Sequence, residues 1–170
     1  MSRIKKIFSK IYDENVAKIY RFVYLKVNSQ DTAEDLCSET FVKAWQVFKS
    51  NKTIENPQAF LYQIARNLVI DYYREKGRTQ IVSPEAVEIV DPTVNLEQVA
   101  FVNLEMDNVK TALAGLRNDY QEMIVWHYVN EYSVPEISLM MGKSEGAVRV
   151  QLHRALKALK DKMDVIVETS

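Results

Sequence analysis

Cysteine, glycine and proline are scarce in this chain: its 170 residues hold one cysteine, four glycines and four prolines. A single cysteine excludes an intramolecular disulfide, and Cys37, set at helical spacing with Leu36, Phe41 and Ala44, reads as a buried thiol. Three glycines, Gly77, Gly115 and Gly142, stand where helical patterns end, so the expectation is an all-α protein. No apolar run exceeds four residues and the start MSRIKKIFSK lacks a signal-peptide core. Neither a membrane span nor secretion is indicated, which predicts a cytoplasmic protein. Histidine is limited to His127 and His153, both far in sequence from the carboxylates Glu34, Asp35 and Glu39. The patterns HExxH, GxxxxGK and GxSxG are missing, so neither an enzyme nor a metal or other cofactor is expected.

Excess charge of one sign is also missing overall: the formal net charge is −1. The balance hides a local asymmetry. Residues 1–77 carry 13 Lys or Arg against 9 Asp or Glu, and residues 143–162 carry 6 against 2. The stretch from Arg78 to Glu97 is acidic through Glu85, Glu88, Asp91 and Glu97, and the residues up to Gly142 are acidic too. Two basic regions are thus masked, and the global balance misleads about nucleic-acid binding.

What is present is most informative from Ser133 to Leu159, SVPEISLMMGKSEGAVRVQLHRALKAL. Ser133 and Glu136 have the spacing of a capping box, with Pro135 tolerated in the first turn. Gly142 suits a left-handed helix end, and Ser144 is a natural N-cap for the next helix. At roughly 100° per residue, Arg149, Lys160, His153, Lys157 and Arg154 share one arc, and Val148, Leu152, Ala155 and Leu159 cluster opposite, with Leu156 at the boundary. Two helices around a tight turn with one cationic face predict a DNA-reading helix-turn-helix, in which arginine reads guanine and lysine meets phosphate. The competing reading is a solvated amphipathic hairpin; the caps, the turn glycine and the one-sided arc together favour DNA.

Upstream, apolar residues from Ile7 to Val27 recur every three or four positions and predict one long helix. Asp31 with Glu34 reads as a variant capping box for a second helix holding Ala33, Leu36, Cys37, Phe41, Ala44 and Phe48, followed by the loop KSNKTIEN. Pro57 opens a third helix, packed through Phe60, Leu61, Ile64, Ala65, Leu68 and Tyr72 and ending at Gly77. From Arg78 to Asn95 the periodicity vanishes and Pro84 and Pro92 occur, which predicts a linker. Helical spacing resumes at Leu96 and buttresses the helix-turn-helix. The expected organisation is two small helical domains, 1–77 and 96–170, joined by a flexible linker at 78–95. The third helix carries Tyr62, Arg66, Asn67, Asp71, Tyr73, Arg74 and Lys76. Aromatic faces can stack unpaired bases while cations hold their phosphates, although tyrosines at this spacing also serve as packing residues. Glu34, Asp35 and Glu39 read as a solvated acidic face or as a protein-docking face anchored by Trp45. His127, in WHYVNEY, reads as a packing histidine.

Three strings, DTAEDLCSETFVKAW from Asp31, NPQAFLYQIARNLVIDYYREKGR from Asn56 and the Ser133–Leu159 unit, closely resemble bacterial extracytoplasmic-function sigma factors in order and spacing. The resemblance implies a factor that binds core RNA polymerase and directs promoter recognition, opening and transcription initiation, with the polymerase performing the chemistry. It implies core-polymerase docking through Asp35, Glu39, Phe41 and Trp45. The loop from Lys49 to Asn56 and the helix bearing Tyr62, Arg66, Asn67, Asp71 and Arg74 would open and read the minus-10 element. Flipping a base out of the duplex costs a few kcal/mol, which pocket contacts must offset. Lys143, Ser144, Arg149, His153, Arg154 and Lys157 would meet the minus-35 element. An anti-sigma partner, often membrane-bound, is a further implication, as is a role in a stress or envelope response.

A free-standing repressor or activator is the alternative from another class. It would read palindromic half-sites with the C-terminal domain, use the N-terminal one for dimerisation or signal sensing, and form a stable dimer without polymerase.

Overall fold

The structure, a computed structural model, describes residues 2–50, 53–79 and 108–169. The chain divides into two compact units, residues 1–89 and 90–170. Apart from the backbone of Arg78 and Thr79, the expected linker lies outside the described residues, as does the expected start of the second domain at Leu96.

The first unit is built from α1 (Arg3–Val27), α2 (Gln30–Lys49) and α3 (Pro57–Thr79). Helix α1 starts ahead of its apolar pattern because the Ser2 hydroxyl accepts the Lys5 amide at 3.3 Å. It stops at Asn28, in the left-handed conformation at φ 52°, whose N–H donates to the Tyr24 carbonyl at 2.7 Å. Asparagine tolerates this conformation better than most residues. Ser29 then caps α2 by accepting the Thr32 amide at 3.2 Å. This corrects the expected cap at Asp31, which instead occupies the first turn, where a carboxylate faces the positive end of the helix dipole. Only Asn28 and Ser29 separate the two helices, so the chain returns tightly and α1 and α2 lie side by side. Asn56 caps α3, its Oδ1 accepting the Ala59 amide at 3.0 Å. Helix α3 runs through Gly77 to Thr79 rather than ending at the glycine. Gly77 has no left-handed φ to break the helix.

Ile19, Phe22 and Val23 of α1, Ala33, Leu36 and Ala44 of α2, and Leu61, Tyr62, Ala65 and Leu68 of α3 form the core of this unit. Burial of each large apolar side chain contributes about 1.5–3 kcal/mol. Cys37 lies at the same interface, buried as expected, and burial pushes its thiol up to about 11.

The second unit has a helix over 108–114, then α4 (Asn118–Ile124), which widens into a π-helical turn at Val125–Val129, followed by α5 (Val134–Met141) and α6 (Glu145–Thr169). The π turn is visible in the Asn130 amide, which donates to the Val125 carbonyl five residues back at 2.8 Å. His127 packs as expected: its Nδ1 donates to the Tyr132 carbonyl at 2.8 Å and its ring meets Tyr128 edge-on. Met123, Ile124, Val125 and Trp126 form the core with Ile137 of α5 and Val148, Leu152 and Ala155 of α6. No described helix is long and apolar enough to cross a membrane.

Candidate nucleic-acid interface and docking face

The turn between α5 and α6 follows from its residues. The Ser133 hydroxyl accepts the Glu136 amide at 3.2 Å while the Glu136 carboxylate accepts the Ser133 amide at 3.1 Å, a complete capping box. Gly142 ends α5 with φ 65°, where a β-carbon is disfavoured, and the Ser138 hydroxyl donates to the Lys143 carbonyl across the turn. Ser144 then accepts the Ala147 amide at 3.1 Å and starts α6. Ser133 and Ser144 thus start the two helices on either side of the turn that Gly142 makes.

On α6, Val148, Leu152, Ala155 and Leu159 are buried, and Arg149, His153, Arg154, Lys157 and Lys160 are exposed. The expected arc of cations therefore faces solvent as one surface. Lys143 and Ser144 are exposed at its N-terminal edge. Arg149 is loosely tethered by Glu145, 4.0 Å away on the preceding turn. An open concavity of about 480 Å³ adjoins this face, lined by Lys143, Gly146, Ala147, Val150, Gln151 and Arg154 and also by Arg117, Asp119 and Tyr120. Val150, half-exposed, and Gln151 were missed by the search for cations. The same 100° stepping that located the arc puts Val150 inside it, where a branched apolar side chain can meet a thymine methyl.

In the first unit, Asn67, Asp71 and Arg74 share one exposed stripe of α3, and Arg74 Nη1 lies 3.7 Å from Asp71 Oδ1. Arg66 is half-buried beside that stripe, and Lys49 is exposed at the end of α2. Asn56 serves as the α3 cap. Tyr62 departs from the expected set: it is 1% exposed and packs edge-on against Phe22 with ring centroids 5.0 Å apart, so it is a core residue and offers no face to a base. The exposed aromatic on this helix is Tyr73, whose hydroxyl donates to the Lys26 carbonyl near the end of α1. Burial, and secondarily Tyr72, raise the Tyr73 phenol above its ordinary range.

A second face lies along α1 and α2. A groove of about 320 Å³ is lined by Phe8, Tyr12, Val16, Phe41, Val42 and Trp45 together with Cys37 and Ser38. Tyr12 sits edge-on to Phe41 at 4.9 Å and Phe8 lies 5.2 Å from Trp45, so aromatic pairs set its walls. Of the expected docking residues, Phe41 is a buried wall of the groove and Trp45 is half-buried in it. Asp35 and Glu39 are exposed on the stripe they share with Ser38 and Val42, Glu39 being 4.0 Å from Lys43. Val42, 56% exposed, is the apolar residue that the reading of the acidic cluster passed over. Among the described residues no cluster of three or more His, Cys, Asp or Glu is arranged to hold a metal ion.

Among the described residues there are helices and no strands, with a basic helix-turn-helix in one unit and, in the other, an aromatic-walled groove beside an acidic stripe, an arrangement suited to reading DNA and docking on a partner. The sigma-70 region 2 profile matches residues 11–79 and the sigma-70 region 4 profile residues 106–159. The chain is 30% identical over 166 residues to the ECF RNA polymerase sigma factor SigW of Bacillus subtilis, covering 92% of this chain and 88% of that one. It is also 30% identical over 155 residues to the ECF RNA polymerase sigma factor BldN of Streptomyces coelicolor, covering 89% of this chain and 58% of the length of that longer protein. Among solved structures, the sigma factor RpoE in complex with the anti-sigma factor NepR from Bartonella quintana is similar at a TM-score of 0.65 and 25% identity, covering 94% of this chain and 98% of that one. The chain belongs to the ECF RNA polymerase sigma factors, the proteins that direct transcription initiation at promoters.

Proposed function

We propose that this chain docks on core RNA polymerase through the α1–α2 groove and the acidic stripe beside it, and reads promoter DNA with both units. The observation that carries the reading is the one-sided division of α6, with cations exposed along one arc and Val148, Leu152, Ala155 and Leu159 buried opposite. Arg149, His153 and Arg154 face the bases of the minus-35 element, with Lys143, Ser144 and Lys157 nearer phosphate. Lys49, Asn56, Arg66, Asn67, Asp71 and Arg74 serve the minus-10 element; Tyr62 supports them from the core. Asp35, Glu39 and Trp45 contact the polymerase directly, and Phe41 shapes the groove from its wall. The domains are 1–77 and 96–170 with a linker at 78–95. The chain itself performs no catalysis, needs no cofactor and acts in the cytoplasm. The sigma factor RpoE is held by the anti-sigma factor NepR in a solved complex. By analogy an anti-sigma protein restrains this chain by covering the same groove.

Each DNA-facing surface is small, so sequence-specific affinity of the isolated chain is weak and polymerase supplies the fixed spacing that makes the two contacts additive. The test is binding of the full chain to purified core polymerase, followed by fluorescence anisotropy, for wild type and Val42→Asp. A charge placed in the apolar centre of the contact lowers affinity by about 2 kcal/mol, roughly thirtyfold, whereas an unchanged affinity removes the groove from the interface.

A further inference from the structure

Three residues lining the concavity beside α6, Arg117, Asp119 and Tyr120, belong to neither helix of the helix-turn-helix. Arg117 precedes α4, and its guanidinium is held on two sides. Its Nε donates to Asp119 Oδ1 at 2.9 Å and its Nη2 donates to Asp119 Oδ2, a two-pronged pair. The Tyr120 ring lies beneath it, with the guanidinium carbon 4.2 Å from the ring centroid. Asp119 is itself fixed, because its Oδ1 also accepts the Tyr120 amide at 3.0 Å. An exposed arginine ordinarily samples many rotamers, and ordering one on binding has an entropic cost. This arginine is ordered in advance.

Pairing with Asp119 occupies one edge of the guanidinium. Among the described residues Nη1 has no protein acceptor, so its N–H groups remain for a ligand. The concavity they border contains two further cations, Lys143 and Arg154, against the single carboxylate of Asp119. Its lining at Gly146 and Ala147 carries almost no side chain, and nothing stands within 4 Å of where a β-carbon on Gly146 would lie. A bulky polyanion can therefore approach the backbone of α6 closely while Arg117, which lines the same concavity, reaches it as well.

We infer that Arg117, held by Asp119 and Tyr120, is a further DNA contact, donating from Nη1 to a backbone phosphate flanking the bases read by α6. The inference rests on the reading of α6 as the minus-35 reader and adds a contact from outside the helix-turn-helix. Because a phosphate contact fixes register without reading sequence, it anchors one side of the duplex while Arg154 and Val150 meet the base edges. Asp119 is a positioning residue: the Arg117 hydrogen bond is the main cause that holds its carboxyl below the ordinary range, so the pair persists into mildly acidic solution.

The test measures binding of the full chain, alone at low salt and in complex with core polymerase, to a duplex bearing a promoter it selects and to a scrambled duplex, across a salt series, together with its affinity for core polymerase, for wild type, Arg117→Ala, Arg117→Lys and Arg154→Ala. Arg117→Ala is expected to weaken both duplexes by a similar factor of several-fold and to reduce the slope of log affinity against log salt by about 0.9, the value for one phosphate. Arg117→Lys should keep the slope and lose part of the affinity. Neutralising single phosphates as methylphosphonates should reveal one position that matters to wild type and not to Arg117→Ala. A purely structural role would lower the melting temperature and leave the slope intact. That result, or a loss confined to polymerase binding, overturns the inference, while a loss on Arg154→Ala alone leaves the minus-35 reading standing without Arg117. No effect of either alanine variant would remove the minus-35 reading itself.

Discussion

The ring of Tyr62 meets the ring of Phe22 edge-on, with centroids 5.0 Å apart, inside the first unit. A tyrosine on the helix assigned to promoter opening is therefore a packing residue. Tyr62→Ala should cost about 3–5 kcal/mol of stability in urea denaturation, as large aromatic truncations in a core do. A base-stacking tyrosine on the surface would give a change within about 0.5 kcal/mol and a selective loss of DNA opening instead.

Much of this architecture was legible in the sequence, for identifiable reasons. The capping box of Ser133 and Glu136, the left-handed Gly142 and the cationic arc of α6 are local features, each fixed by residues within a turn or two of one another. Tyr62 was not legible in that way. Whether it faces Phe22 or solvent depends on how α3 crosses α1, a contact across 40 positions of sequence that spacing within α3 does not define. The cap of α2 was misplaced by two residues because Ser29 and Asp31 are both good caps, and the left-handed turn at Asn28 decided between them. Arg117 escaped notice because its partners bring it to the α6 concavity only in three dimensions. The segment between the two profiles lies outside the described residues, and its proposed linker role rests on composition.

Gly142 offers a cleaner test of the turn. Its φ is 65° and nothing lies within 4 Å of a β-carbon built there, so Gly142→Ala adds backbone strain without a clash. The expected loss is about 1–2 kcal/mol, read as a lower melting temperature. Promoter selectivity should survive in the fraction that stays folded.

Cys37 provides the pH-dependent prediction. Burial raises its thiol to about 11 from an ordinary value of 9.0, so the folded chain keeps the proton that the unfolded chain releases. The resulting stability is fully present below pH 9.0 and is lost as the pH rises toward about 11. Alkylation of Cys37 by iodoacetamide at neutral pH should be slow in the native protein and fast in urea. Equal rates in both states would show that the thiol is exposed.

Glu131 has φ 61°, a left-handed conformation that strains a residue of its size, on the short connection between the π turn and α5. Glu131→Gly should leave the fold intact and raise stability by up to about 1 kcal/mol, checked by thermal denaturation. A decrease would mean that the glutamate side chain makes a stabilising contact outweighing the strain.

The central claim is that this chain turns core RNA polymerase into a promoter-selective enzyme. Run-off transcription from a promoter library with purified core polymerase, with and without the chain and with Arg154→Ala, tests it most directly. The account predicts selective transcripts that require the chain and fall roughly five- to 150-fold with Arg154→Ala, corresponding to loss of about 1–3 kcal/mol of base recognition. No chain-dependent transcripts from active core, together with a stable dimer of the chain on palindromic DNA, would contradict it and establish a free-standing regulator.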